Sequence, residues 1–274
     1  MDINKIDPFF EQSNPEVVDL LENVAKTYKP DNLVFPVGFP IFDYAMDGGV
    51  RSGELITVSA MTGHGKTTFC QQLTENFTKN KVPCLWFSFE MNPYYLNEKF
   101  VQMGVINHPT YTTIKDIYVD LSEIESIIKN AYSEHACKIV FIDHLHYLVP
   151  LKDALNVSLM VGGLVRKLKT IAVKNDVIIF LVAHTKKLYQ GENLDLSSIR
   201  DSSLIAQESD YVFLIERLKK TIKKNFNPND TEWTNETKIT LAKNRRTGEL
   251  RFITCEFQNK KFVEKTNIYD GLQY

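Results

Sequence analysis

Residues Leu55 to Thr68 read LITVSAMTGHGKTT, and no other stretch restricts the fold as much. A β-rich apolar run, Leu55 to Val58, leads into a glycine-containing turn. Gly65-Lys66-Thr67 follows, and then a run from Thr67 to Asn80 that suits a helix. Strand, turn and helix in that order gather the backbone N–H groups of the turn around an anion and aim the positive end of a helix at it. Ala60, Met61, Thr62, Gly63, His64, Gly65, Lys66, Thr67 and Thr68 therefore form a candidate phosphate cradle. Lys66 would place a point charge on the β and γ phosphates, and the Thr67 hydroxyl would ligate Mg²⁺. The expected occupant is ATP or another nucleoside triphosphate with Mg²⁺. Such loops commonly begin with glycine where this chain has Ala60. Alanine does not reach positive φ cheaply, so an ordinary φ is expected there.

Composition sets the frame. At 274 residues, 43% hydrophobic and 24% charged, the chain suits one large domain with a short appendage. A net charge of -2 gives no global attraction to nucleic acid, although a local basic surface is compatible with it. Cys70, Cys84, Cys137 and Cys255 show no C-x-x-C spacing, which excludes a zinc ribbon and a disulfide framework and predicts reduced, buried thiols. No stretch reaches the length of a membrane span, and the start MDINKIDPFF lacks the pattern of a signal peptide. A cytoplasmic protein without a membrane partner is expected.

In chain order, residues 1–33 form an N-terminal segment. Asn14-Pro15 starts a short amphipathic helix carrying Val17, Val18, Leu20, Leu21 and Val24. Its stripe suits packing on its own domain or on a neighbouring subunit. Thr27 to Phe39 reads as a linker. CLWFSF (84–89), KIVFIDH (138–144) and VIIFLVA (177–183) are continuous apolar runs, and Tyr211 to Glu216 is a further strand. Strands apolar on both faces belong in a parallel sheet covered by helices, so the expected fold is α/β. These runs end at Glu90, Asp143 and His184, at the carboxyl ends where such sheets bind ligands. Asp143 is the candidate Walker B acid, holding Mg²⁺ through a water. His144 and His146 make an H-x-H pair with no third ligand spaced nearby.

Helices are expected at Tyr94 to Met103, at Glu123 to Tyr132 capped by Ser122, and at Asn156 to Val173 with Leu159, Leu164, Leu168 and Ile171 packing. Gly162 and Gly163 weaken the last and mark a close approach or a bend. Lys186, Lys187 and Tyr189, in a polar loop on the ligand side, suit single-stranded nucleic acid. Arg217 to Asn235 reads as a polar connection. Thr237 to Lys243 and Leu250 to Phe257 alternate as a β-hairpin with Asn244, Arg245, Arg246 and Thr247 at its tip. A guanidinium on such a tip could reach phosphates held by another subunit.

Five ordered segments carry a family resemblance. VGFPIFDYAMDGGVRSGELITVSAMTGHGKTTF, WFSFEM, KIVFIDHLHYL, LSSIRDSSLIAQESDYVFLIER and LAKNRRTG resemble the RecA-like ATPase domain of DnaB-type replicative helicases, from about Val34 to Phe262. The resemblance implies a RecA-like P-loop domain over 34–274, with a mainly parallel sheet flanked by helices and a C-terminal hairpin. It implies a hexameric ring acting on single-stranded DNA. In that reading Glu90 polarises the attacking water, Asp143 supports the metal and His184 senses the γ-phosphate. Lys243 and Arg245 reach the adjacent subunit's site, and loops at Lys152, Lys186 and Lys187 follow the DNA. Arg246 fits the family's Lys-x-Arg pattern less well. The family's N-terminal collar and a fused primase find no room here, so a primase, a loader or a separate N-terminal subunit is an expected partner. A bacterial or phage-infected cell is the implied setting. A RecA-like recombinase and a non-hydrolysing, nucleotide-gated scaffold on DNA are the competing readings.

Overall fold

The parallel strands hydrogen-bond on both sides and are covered on both faces, which is why they read as unbroken apolar runs. The computed structural model describes residues 33–105, 121–149, 157–186, 194–200, 202–221 and 231–265. The expected helix from Pro15 to Ala25, the residues Lys152, Lys187 and Tyr189, and Lys223 and Lys224 lie outside them.

A small antiparallel pair, β1 (Val34–Phe35) and β2 (Val50–Arg51), brackets helix α1 (Pro40–Ala45). Then come β3 (Leu55–Ala60), α2 (Lys66–Lys79), β4 (Cys84–Ser88) and α3 (Pro93–Gln102). These are followed by α4 (Leu121–His135), β5 (Ile139–Asp143), α5 (Val157–Lys174), β6 (Ile178–His184) and α6 (Ser202–Glu208). The chain then turns to strands: β7 (Tyr211–Thr221), β8 (Thr231–Asn244), β9 (Arg251–Gln258) and β10 (Lys261–Glu264). The main sheet has the order β10-β9-β8-β7-β3-β6-β5-β4. β7, β3, β6, β5 and β4 run parallel, and β8, β9 and β10 add antiparallel pairs at one side.

Strand alternation sends each run into two cores. Ile56, Val58, Trp86, Phe141, Phe180 and Phe213 face the layer made by α1, α2 and α3, where Phe69, Leu73 and Phe77 of α2 meet them. Leu85, Phe87, Val140, Ile142, Ile179 and Leu181 face the opposite layer, against Ile124 and Ile128 of α4 and Val165 and Leu168 of α5. Register places Trp86, Phe141 and Phe180 side by side on adjacent strands. Their rings stack at 4.8 and 4.9 Å between centroids, an offset packing that adds rigidity under the strand ends. The four cysteines are buried and unbridged.

Several local expectations need correction. The described part of the supposed linker, Leu33 to Phe39, is no linker: Phe35, Val37 and Phe39 are buried, and Phe39 packs on Phe69 at 5.5 Å. Pro36 and Gly38 shape a packed turn. Helix α4 begins at Leu121, so Ser122 sits inside its first turn and is not the cap. Leu159 points outward, 64% exposed. On α5, two basic residues are paired within the chain. Arg166 pairs with Glu208 at 3.0 Å, and Lys169 pairs with Asp210 at 2.5 Å while donating to the Gly53 carbonyl.

The described parts of the polar connection after Glu216 are strand. β7 runs on to Thr221 and β8 begins at Thr231. This arm is held by backbone pairing, the Lys220–Glu232 ion pair at 2.7 Å and Lys219 over the Trp233 ring at 4.2 Å. Most of its described residues are at least partly exposed, so neither face needs apolar side chains and the period-2 signal is missing.

The two glycines of α5 have different reasons. A Cβ on Gly162 would lie 2.1 Å from Leu204 Cδ1, whereas one on Gly163 would meet nothing within 4 Å. Gly162 thus lets α6 pack on α5. We expect Gly162→Ala to destabilise the fold by about 1–3 kcal/mol and Gly163→Ala to stabilise it by up to about 1 kcal/mol, read by urea unfolding. Equal effects would remove the close-approach explanation.

Candidate active site

The strand β3 stops at Ala60, which is fully buried and not among the positive-φ residues, as its side chain requires. The turn that follows depends on Gly63 at φ +80 and Gly65 at φ +94, values that alanine would take only under strain. A Cβ on Gly65 would also lie 2.8 Å from the Phe262 ring. Gly65 caps α2, so the free N–H groups of that helix open toward the turn. Lys66 is buried; its Nζ donates to the carbonyls of Ala60 at 3.0 Å and Met61 at 3.3 Å. Burial lowers its pKa, and Asp143 and Glu90 oppose that shift. A phosphate is a stronger acceptor for this ammonium than two carbonyls.

The Thr67 hydroxyl donates to Asp143 Oδ2 at 2.7 Å, which joins the start of α2 to the end of β5. Asp143 Oδ1 is buried with no hydrogen-bond partner. Burial above all, together with the charge of Glu90, pushes the Asp143 carboxyl up to about 6 against the Thr67 bond. A hard cation between Thr67 and Asp143 would satisfy that oxygen, so the residues present fit Mg²⁺.

Parallel register aligns the other strand ends. Ser88 of β4 lies opposite Asp143 of β5, and Ala60 of β3 opposite His184 of β6. Two residues beyond β4, Glu90 is half-exposed and meets His144 Nδ1 at 3.1 Å. The His144 and His184 rings meet edge to face at 4.2 Å. Burial lowers the pKa of both imidazoles, and the charge of Lys66 adds to it. His184 is brought down to about 4, so it is neutral at pH 7. The H-x-H pair has no third ligand spaced nearby in sequence, and His144 is instead grouped, without His146, with residues from other strands. Residues remote in sequence, Glu90 and His184, supply ligand atoms within 4.8 Å, which spacing along the chain could not reveal.

The P-loop residue His64 was expected only as part of the cradle. Its Nδ1 accepts from the Arg217 backbone N–H at 3.1 Å, and its ring meets Trp233 at 4.9 Å. The β7–β8 arm thus rests on the tip of the phosphate loop. Lys186 is exposed just past β6, on the same side of the sheet.

Lys243 and Arg245 are held within the chain. Lys243 Nζ donates to the carbonyls of Ala206, Gln207 and Ser209, at 2.6, 3.0 and 2.6 Å, at the end of α6. That is a favourable place for a cation. Arg245 pairs with Asp210 at 3.1 Å and remains 47% exposed. Arg246 is an internal anchor, bound to the Met46 carbonyl at 2.7 Å and paired with Glu54. A cavity of about 190 Å³, lined among others by Thr68, Gln71, Phe257 and Lys260, adjoins α2 but includes none of Lys66, Glu90 or Asp143. It lies beside the chemistry. No described helix is long and apolar enough to cross a membrane.

Residues 35–111 and 99–264 match the family of the DnaB-like helicase C-terminal domain. The replicative DNA helicase DnaB of Mycoplasma pneumoniae is 27% identical over 84% of this chain and 57% of its own length. The replicative DNA helicase DnaC of Bacillus subtilis is 24% identical over 95% and 63%. The chain therefore spans under two thirds of these curated relatives. Among solved structures, the ATPase domain of G40P superposes with a TM-score of 0.73 at 18% identity, covering 90% of this chain and 99% of that one. A DnaB-like replicative helicase described in its interactions with primase gives 0.71 at 18%, covering 90% and 67%. The fold is thus α/β, as the strand pattern predicts, and RecA-like, as the resemblance implies.

Proposed function

The chain belongs to the family of DnaB-like helicase C-terminal domains, and on that premise we propose that it is an ATP-hydrolysing motor that moves along single-stranded DNA as a ring. The observation that carries the proposal is the meeting of the Thr67–Asp143 pair with Glu90 and His184 at the ends of adjacent parallel strands.

In this reading Lys66 leaves the carbonyls of Ala60 and Met61 for the phosphates. Thr67, and Asp143 through a water, would hold Mg²⁺, which would supply charge neutralisation at the phosphates. Glu90 accepts a proton from the attacking water. His184, neutral at pH 7 by burial, donates to the γ-phosphate or accepts from a group beside it, according to tautomer. Its link to the loop starting at Lys186 would carry the nucleotide state toward DNA. Lys243 and Arg245 would leave α6 and Asp210 when a second copy presents its phosphates, supplying charge in trans. A hexameric ring, with a primase or loader as partner, belongs to this reading. The setting would be the cytoplasm of a bacterial or phage-infected cell.

The test is strand displacement on forked DNA offered in both polarities, with particle mass and shape measured in parallel. Closed six-fold rings with ATP- and DNA-dependent unwinding are expected. Open filaments that pair strands would favour a recombinase. Nucleotide binding without turnover, even on single-stranded DNA, would make the chain a gated scaffold.

A further inference from the structure

Three neighbouring strands each deliver one metal-ligating group just past their carboxyl ends: Glu90 after β4, His144 after β5 and His184 at the end of β6. One ligand atom from each lies within 4.8 Å of the others. Atoms so placed share a point within about 2.8 Å of all three, against zinc–ligand bonds of about 2.0–2.2 Å. Less than about 1 Å of movement per side chain would close the site. Two imidazoles and one carboxylate suit a borderline divalent ion of the first transition row; Mg²⁺ prefers oxygen ligands throughout. The frame is stiff, since β4, β5 and β6 are paired in register over a stacked aromatic row. Access is open through Glu90, whose side chain is 51% exposed. The contact between His144 Nδ1 and Glu90 Oε2, at 3.1 Å, already places two of the donors face to face.

We propose that Glu90, His144 and His184 form a second divalent-cation site, for Zn²⁺ or an ion of like softness, separate from the Thr67–Asp143 pair. An ion held there occupies the carboxylate that would accept the proton of the attacking water, so Zn²⁺ arrests turnover. The arrest rests on the ATPase reading; the binding does not.

The experiment titrates Co²⁺ into the nucleotide-free full chain with Mg²⁺ in excess. One equivalent should bind, giving the visible d–d absorption of a low-symmetry nitrogen and oxygen site, and Zn²⁺ should displace it. His184→Gln keeps a polar amide at the strand end and should weaken Co²⁺ binding at least about tenfold. His144→Ala should do the same, with melting curves establishing that each variant is folded. Asp143→Asn should leave Co²⁺ affinity within about threefold, because its carboxylate belongs to the other pair. No d–d band, an affinity unchanged in both histidine variants, or an equal loss in Asp143→Asn would each overturn the site. Zn²⁺ should inhibit ATP hydrolysis at the concentration that displaces Co²⁺. A chain that binds Co²⁺ in this way yet hydrolyses nothing refutes the ATPase reading alone. A chain that turns over ATP and gives no Co²⁺ band refutes this site alone.

Discussion

Glu90→Gln should lower ATP turnover by about 10²–10⁴-fold, the usual worth of a positioned general base, while nucleotide affinity stays within about threefold. The amide has nearly the shape of the carboxylate, and the side chain is half-exposed, so little packing is at risk. Its observed contact, His144 Nδ1, can be kept by an amide in either tautomer of the imidazole. What the amide lacks is basicity. Lys66→Ala should behave differently, losing affinity as well as rate, because its ammonium would touch the phosphates in the ground state and in the transition state. Steady-state kinetics and equilibrium binding of a fluorescent nucleotide analogue, both on single-stranded DNA, separate the two. Wild-type turnover in Glu90→Gln would sink the assignment of the base. An unchanged affinity in Lys66→Ala would sink that of the cradle.

The residues that one stretch of chain can explain were legible in the sequence. Continuous apolar runs announced the parallel strands because burial on both faces leaves that mark. The acidic and imidazole groups after them stood out because strand ends are where such a sheet binds ligands. What the sequence hid depends on neighbours far along the chain. Glu90 and His144 meet only through the β4–β5 register. Gly162 matters because Leu204 crosses over it, whereas Gly163 beside it faces open space. The β7–β8 arm is polar on both faces, so alternation gave no sign of strand where Trp233 reaches His64. Lys169 pairs with Asp210, 41 residues away along the chain. At the hairpin, adjacent arginines carry opposite roles. Arg246 is tied inward to Glu54, and Arg245 stays partly exposed beside Asp210. Only the turn geometry separates them.

Asp143→Asn should make the nucleotide-free protein more stable at neutral pH while reducing Mg²⁺-dependent hydrolysis by more than about 10²-fold. The carboxyl is 2% exposed, and one of its oxygens has no partner. Its pKa is raised from 3.8 to about 6, so between these values the folded state binds more protons than the unfolded one. Stability therefore falls as pH rises through about 6, and above that the folded protein carries the full cost of a buried charge. The gap corresponds to about 3 kcal/mol at most. An amide removes the charge and still accepts from Thr67, but its NH₂ group inherits the unsatisfied position, which returns about 1–2 kcal/mol of the gain. The net expectation is about 1–2 kcal/mol, or roughly 2–8 °C in Tm. The Tm difference should be largest at pH 7.5 and shrink as pH falls from about 6 towards 3.8, where the unfolded chain takes up the proton as well. Mg²⁺ with a non-hydrolysable ATP analogue should raise the wild-type Tm by more than that of the variant, which keeps Lys66 and Thr67 but lacks the carboxylate that the cation would relieve. A variant that melts below wild type at pH 7.5 without nucleotide would mean that Lys66 and Thr67 already compensate the charge. The orphaned oxygen would then have no bearing on metal affinity. If both movements occur, one atom accounts for them: the site holds a charge that the apo fold tolerates poorly, and binding the cation relieves it.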